Sequence, residues 1–162
     1  MKHLKHVLLL TLVLCLCLPL VAACGGGDAK TYSFRYGSAT LTPGTPAKDA
    51  LTALGEPLSF SESGSCGGIP GTDKVYRYTG FTVYTLPGIE GDMVNAIVLT
   101  DDSVKTPEGL SIGSTRQDVT DALGIGEQSG DTLMFVGGST RLTFSLRDGK
   151  VTGIHYGWIY TP

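Results

Sequence analysis

The chain has 162 residues, 12 basic and 15 acidic, for a net charge of −3 with neutral histidines. That acidic balance argues against a nucleic-acid binder and against direct adhesion to anionic lipid. Its 23 glycines and 8 prolines stay below a low-complexity composition, so the length suits one domain with a sizeable core or two small fused units.

The first six residues carry Lys2 and Lys5 and no acid, and residues 7–18 are apolar except for Thr11. Val21-Ala22-Ala23-Cys24 follows. A basic start, a short apolar core and small residues before a cut site make an export signal. Its rivals are a transmembrane helix, for which residues 7–23 with Pro19 inside are short, and a plain signal peptide cut before Cys24. The position of Cys24 favours a bacterial lipoprotein: residues 1–23 are the signal peptide, and the Cys24 thiol is the nucleophile that takes a diacylglycerol as a thioether. An N-acyl chain is the further lipid open to it. Two acyl chains anchor stably where one is marginal. The expected location is extracytoplasmic, on the cell membrane. The mature balance becomes −5, because Lys2 and Lys5 leave with the signal.

Residues 24–30 include Gly25-Gly26-Gly27 and read as a flexible tether. At about 3.3 Å per residue it reaches at most about 20 Å. Residues 31–162 are then a single domain of two repeats, about 37–104 and 105–160. Cys15 and Cys17 leave with the signal and Cys24 takes lipid, so Cys66 has no intramolecular disulfide partner.

Within the domain, 31–36 alternates Tyr32, Phe34 and Tyr36 as a leading strand. Residues 45–55 read as a short helix with Thr45 as N-cap, Pro46 at the first helical position and Gly55 at the left-handed end. A Gly/Ser loop over 61–72 holds Cys66, and strands follow at 74–79, 81–86 and 93–100. A second helix has Ser114 as N-cap, Ser114 and Gln117 as a capping box, and Gly124 as its stop. Strands at 132–136, 140–146 and 150–158 complete the chain, with Asp148-Gly149 as a tight hairpin turn.

The two helices superpose at an offset of 69, with Gly44, Asp49, Ala53, Leu54 and Gly55 on Gly113, Asp118, Ala122, Leu123 and Gly124. The last strands correspond at 57, Val94-x-x-Ile97 on Val151-x-x-Ile154. The expected fold class is α+β: two tandem α-β-β-β repeats forming an antiparallel sheet with short helices packed on one face. The unit of Gly-Ser/Thr, then Asp, then Ala-Leu-Gly, then three strands ending in Val-x-x-Ile resembles the β-lactamase inhibitor protein-like fold. It is similar in outline to the small lipoprotein of the outer-membrane assembly machinery. The wider layout resembles uncharacterised lipoproteins of Gram-positive gut bacteria. The resemblance implies a sheet whose exposed face binds protein.

Catalysis finds little support. Gly64-Ser65-Cys66-Gly67-Gly68 lacks the strand-to-helix setting of a nucleophile elbow, and nothing in sequence brings the one mature histidine, His155, to Cys66. Glu90, Asp92, Asp101 and Asp102 match no calcium-loop spacing and read as solvated turn charges. Tyr76 and Tyr78 share one face of a strand, as do Tyr156, Trp158 and Tyr160. With Tyr84 these are the candidate binding residues. Core packing competes with a recognition platform for each, and Trp158 is the best single choice. The expected function is a membrane-anchored, non-catalytic protein- or peptide-binding module without metal or cofactor. The alternatives are a structural or assembly accessory of an envelope complex and, with least support, a Cys66-dependent hydrolase.

Overall fold

A computed structural model describes residues 30–66 and 70–160; the leader, Cys24 and most of the tether lie outside the described residues. The chain order is β1 (Phe34–Tyr36), β2 (Ala39–Leu41), α1 (Lys48–Leu54), β3 (Ser59–Gly64), β4 (Thr72–Tyr78), β5 (Phe81–Gly88) and β6 (Gly91–Leu99). It continues with α2 (Arg116–Leu123), β7 (Glu127–Ser129), β8 (Thr132–Gly137), β9 (Thr140–Arg147) and β10 (Lys150–Trp158). β1 and β2 form a hairpin of their own. The other eight strands make one antiparallel sheet in the order β3-β4-β5-β6-β10-β9-β8-β7.

This overturns the α+β expectation of tandem α-β-β-β repeats. Among the described residues the fold is mostly β, with a large antiparallel sheet and two short helices. Each helix is followed by four strands, not three. The helices also carry little of the core: α1 has no fully buried residue and α2 has Val119 alone. The leading strand shortens to Phe34–Tyr36 and pairs with β2 instead of joining the large sheet.

The extra strands, β3 and β7, are the two edges of the sheet. Every residue in them is exposed, so neither carries the one-sided alternation that marks a half-buried strand. The helix starts also moved. Residues 44–47 run beside β6, where the Gly44 amide donates to the Val94 carbonyl at 2.7 Å and the Val94 amide to Thr45 at 2.8 Å. Residues 113–116 run beside β10 the same way, through Gly113 to Val151 and Val151 to Ser114. These bonds hold Thr45 and Ser114 in extended pairing, so the caps fall later. α1 starts after Ala47 with no side-chain cap. α2 is capped by Thr115, which forms the capping box with Asp118. Gly55 and Gly124 do take positive φ, at 74° and 85°, but with extended ψ.

The sheet is held by a core on one face. Phe34 inserts between Phe81 and Tyr156, at ring distances of 4.9 and 5.9 Å, and is fully buried. Burying one such side chain contributes roughly 1.5–3 kcal/mol. Alternation in β9 buries Leu142, Phe144 and Leu146 and exposes Arg141, Ser145 and Arg147. At the centre, β6 pairs with β10 through Ile97 with Tyr156 and Leu99 with Ile154. The 57-residue offset exchanges these two pairs, so the halves meet about a local pseudo-twofold at Val98 and His155. No helix among the described residues is long and apolar enough to cross a membrane.

Candidate functional site

The candidate aromatics do not gather in one place. Tyr156 is 0% exposed and belongs to the core. Burial and the neighbouring Glu108 charge raise its phenol well above the ordinary range, and its hydroxyl faces Thr106 and Glu108 without a well-formed hydrogen bond. Tyr78 stacks on Phe81 at 5.1 Å and donates to the Gly55 carbonyl at 3.3 Å. Tyr76 packs against the core beside Phe60, at 5.1 Å. Burial raises both phenols. Tyr84 lies on the opposite sheet face, registered between Val75 and Ala96.

Trp158 and Tyr160 line a cavity together. Their rings meet edge-on at 5.2 Å and 82°. The strand ends at Trp158, so Tyr160 follows it in irregular chain and is 66% exposed. Beside them opens a pocket of about 550 Å³ at the end of the sheet. Pro46, Leu86, Pro87, Ile89 and Met93 supply most of its apolar wall, with Asn95, Glu90 and Ser65 as its polar members. Its size falls in the range of small-ligand sites, which are mostly apolar with a few polar groups.

Local sequence explains this wall. Leu86-Pro87-Gly88-Ile89 ends β5 and turns into β6, placing apolar residues where a hairpin tip is ordinarily polar. Ile89 is 97% exposed at that tip. At Gly88 an added Cβ would lie 2.7 Å from the Gly91 carbonyl oxygen, so the turn closes tightly. Periodicity placed Trp158 and Tyr160, but it missed the hairpin. The signal was available in the apolar residues of the turn itself.

The remaining polar candidates disperse. Asp92 pairs with Lys74 at 2.8 Å, which raises the lysine pKa. Ser103 donates from its amide and its hydroxyl to Asp101, lowering that carboxyl. No group of three or more His, Cys, Asp or Glu able to hold a metal forms among the described residues. Cys66 is exposed just past the edge strand β3, whereas His155 sits on the central strand β10, four strands away. Burial and the Arg141 charge lower the His155 pKa.

No protein-family model matches the chain, and no curated protein matches it. Among solved structures it is similar to an extracellular protein containing an SCP domain from Bacillus anthracis, at 15% identity and a TM-score of 0.43. The likeness covers 79% of this chain and 49% of the other, so the chain spans about half the length of that protein. These comparisons do not bear on the resemblance to the β-lactamase inhibitor protein-like fold.

Proposed function

We propose that the chain works outside the cytoplasm as a lipid-anchored, non-catalytic binding module, and that the pocket beside Trp158 is its binding site. The carrying observation is the apolar pocket itself, which brings Trp158 and Tyr160 together with the β5–β6 hairpin. An aromatic pair in a concave apolar site supplies contact area at little entropic cost, the usual make-up of a binding hot spot. The separation of Cys66 from His155 weighs against a thiol hydrolase. A protein or peptide partner would have to offer an apolar side chain to this pocket.

The test is photo-crosslinking in the intact cell. A benzophenone amino acid replaces exposed Tyr160 in one variant and Asp148, in the turn at the other end of β10, in a second. Adducts at position 160 alone support the reading. Adducts equally at both positions, or none at 160, would overturn it.

A further inference from the structure

The pocket lies at the end of the sheet from which the tether departs. The Lys30 carbonyl occupies the space where a Cβ of Gly137 would stand, and the Tyr32 amide donates to Thr140 Oγ1 at 2.8 Å. Gly137, Thr140 and Trp158 are register partners across β8, β9 and β10. The described chain therefore begins two strands from Trp158, about 10 Å at the usual strand spacing. From Lys30 back to Cys24 there are six residues, at most about 20 Å of chain. A lipid on Cys24 is thus held within about 20 Å of the end of the sheet that carries the pocket.

Apolar side chains project at this end beside the exposed Glu90. The β5–β6 hairpin runs on past Trp158, because Gly157 is registered with Ala96 and β6 begins five residues earlier, at Gly91. Ile89 at its tip and Tyr160 beside it are exposed, and Leu86, Pro87 and Met93 stand behind them. Trp and Tyr with aliphatic neighbours are the residues that settle at a membrane interface. Glu90 is the one charged residue in the pocket lining, so the pocket itself offers no cation to an anionic lipid.

We propose that the pocket takes an acyl chain of the bilayer to which Cys24 holds the domain, with Ile89 and Tyr160 at its mouth. This rests on the readings of Cys24 as the anchor and of the pocket as the binding site. The lipid anchor keeps the domain at the surface; the pocket sets which end faces it.

Trp158 is the single tryptophan of the chain and reports directly on the site. The full chain is expressed in a bacterial host, and its processed product is floated with phosphatidylcholine vesicles whose acyl chains carry bromine, a contact quencher of indole. The expected result is flotation with a several-fold loss of Trp158 emission, unchanged in high salt. Ile89→Asp, a change at an exposed position, should keep flotation and restore emission. Flotation of the native protein without quenching overturns the proposal. Failure of the anchor reading is seen separately, as a product with no acyl mass on Cys24 that does not float. The pocket is then tested with dibromostearate in solution, where saturable quenching abolished by Ile89→Asp supports an acyl-chain site and unquenched emission overturns it.

Discussion

Trp158 lies over Gly44 so closely that a Cβ on that glycine would stand 2.6 Å from the indole Nε1. Gly44 also has φ of +85°, and its amide bonds to the Val94 carbonyl. Glycine is therefore required twice, by backbone conformation and by the ring above it. Gly44→Ala should cost about 1–3 kcal/mol from the forced positive φ, and should tilt the indole out of the pocket wall. Urea unfolding and the Trp158 emission maximum check this together. Native stability with unshifted emission would mean that the ring does not rest there.

Tyr156 separates the core reading from the platform reading. Its ring is fully buried against Phe34, while its hydroxyl has no well-formed partner. Tyr156→Phe should change stability by less than about 1 kcal/mol, since little hydrogen bonding is lost. Tyr156→Ala should cost about 3–5 kcal/mol through the cavity it leaves. Chemical denaturation of the two variants decides the matter; a costly Tyr156→Phe would show that the hydroxyl is tied to Thr106 or Glu108 after all.

The same pair of residues shows what could be read from the sequence. Alternation put Tyr156 and Trp158 on one face of a strand, and the strand bounds at 150–158 agree with β10. Alternation is a property of the pleat and carries no information on what covers that face. The β1–β2 hairpin, at the opposite end of the sequence, covers Tyr156 through Phe34. Trp158 lies two residues beyond that cover and lines the pocket instead. β3 and β7 escaped notice because an edge strand exposed throughout has no hydrophobic period. The helix starts were misplaced because Thr45 and Ser114 suit a cap chemically yet are held in extended pairing by Val94 and Val151.

That shift gives a further prediction. Thr115 Oγ1 accepts from the Asp118 amide at 3.1 Å, and the Asp118 carboxylate accepts from the Thr115 amide at 2.7 Å. Thr45 instead donates its hydroxyl to the Thr42 carbonyl at 2.8 Å, outside α1. Thr115→Ala should lower stability by about 1 kcal/mol, the usual worth of an N-cap. Thr45→Ala should cost clearly less. Thermal unfolding of the two variants side by side tests this, and equal losses would show that both helices start on a side-chain cap.

His155 stands beside the local pseudo-twofold, with its ring along Gly157, where a Cβ would meet the imidazole at 2.8 Å. It is registered with Val98 on β6 and Thr143 on β9. Partial desolvation and the Arg141 charge hold its pKa below the ordinary 6.5 of a histidine. The unfolded chain therefore binds this proton at a higher pH than the folded protein does. In the window below 6.5 the unfolded state carries more protons, so stability rises with pH there. The contribution of neutral His155 is complete above 6.5 and is lost as pH falls through the folded pKa. Carboxylates titrate in the same acidic range, so the useful quantity is the difference from His155→Gln, which stays neutral throughout. The stability of the native protein relative to His155→Gln should decrease between pH 7.5 and 5, measured by urea midpoints at each end. A relative stability that grew on acidification would mean that the imidazolium finds a partner that outweighs its desolvation and the Arg141 charge.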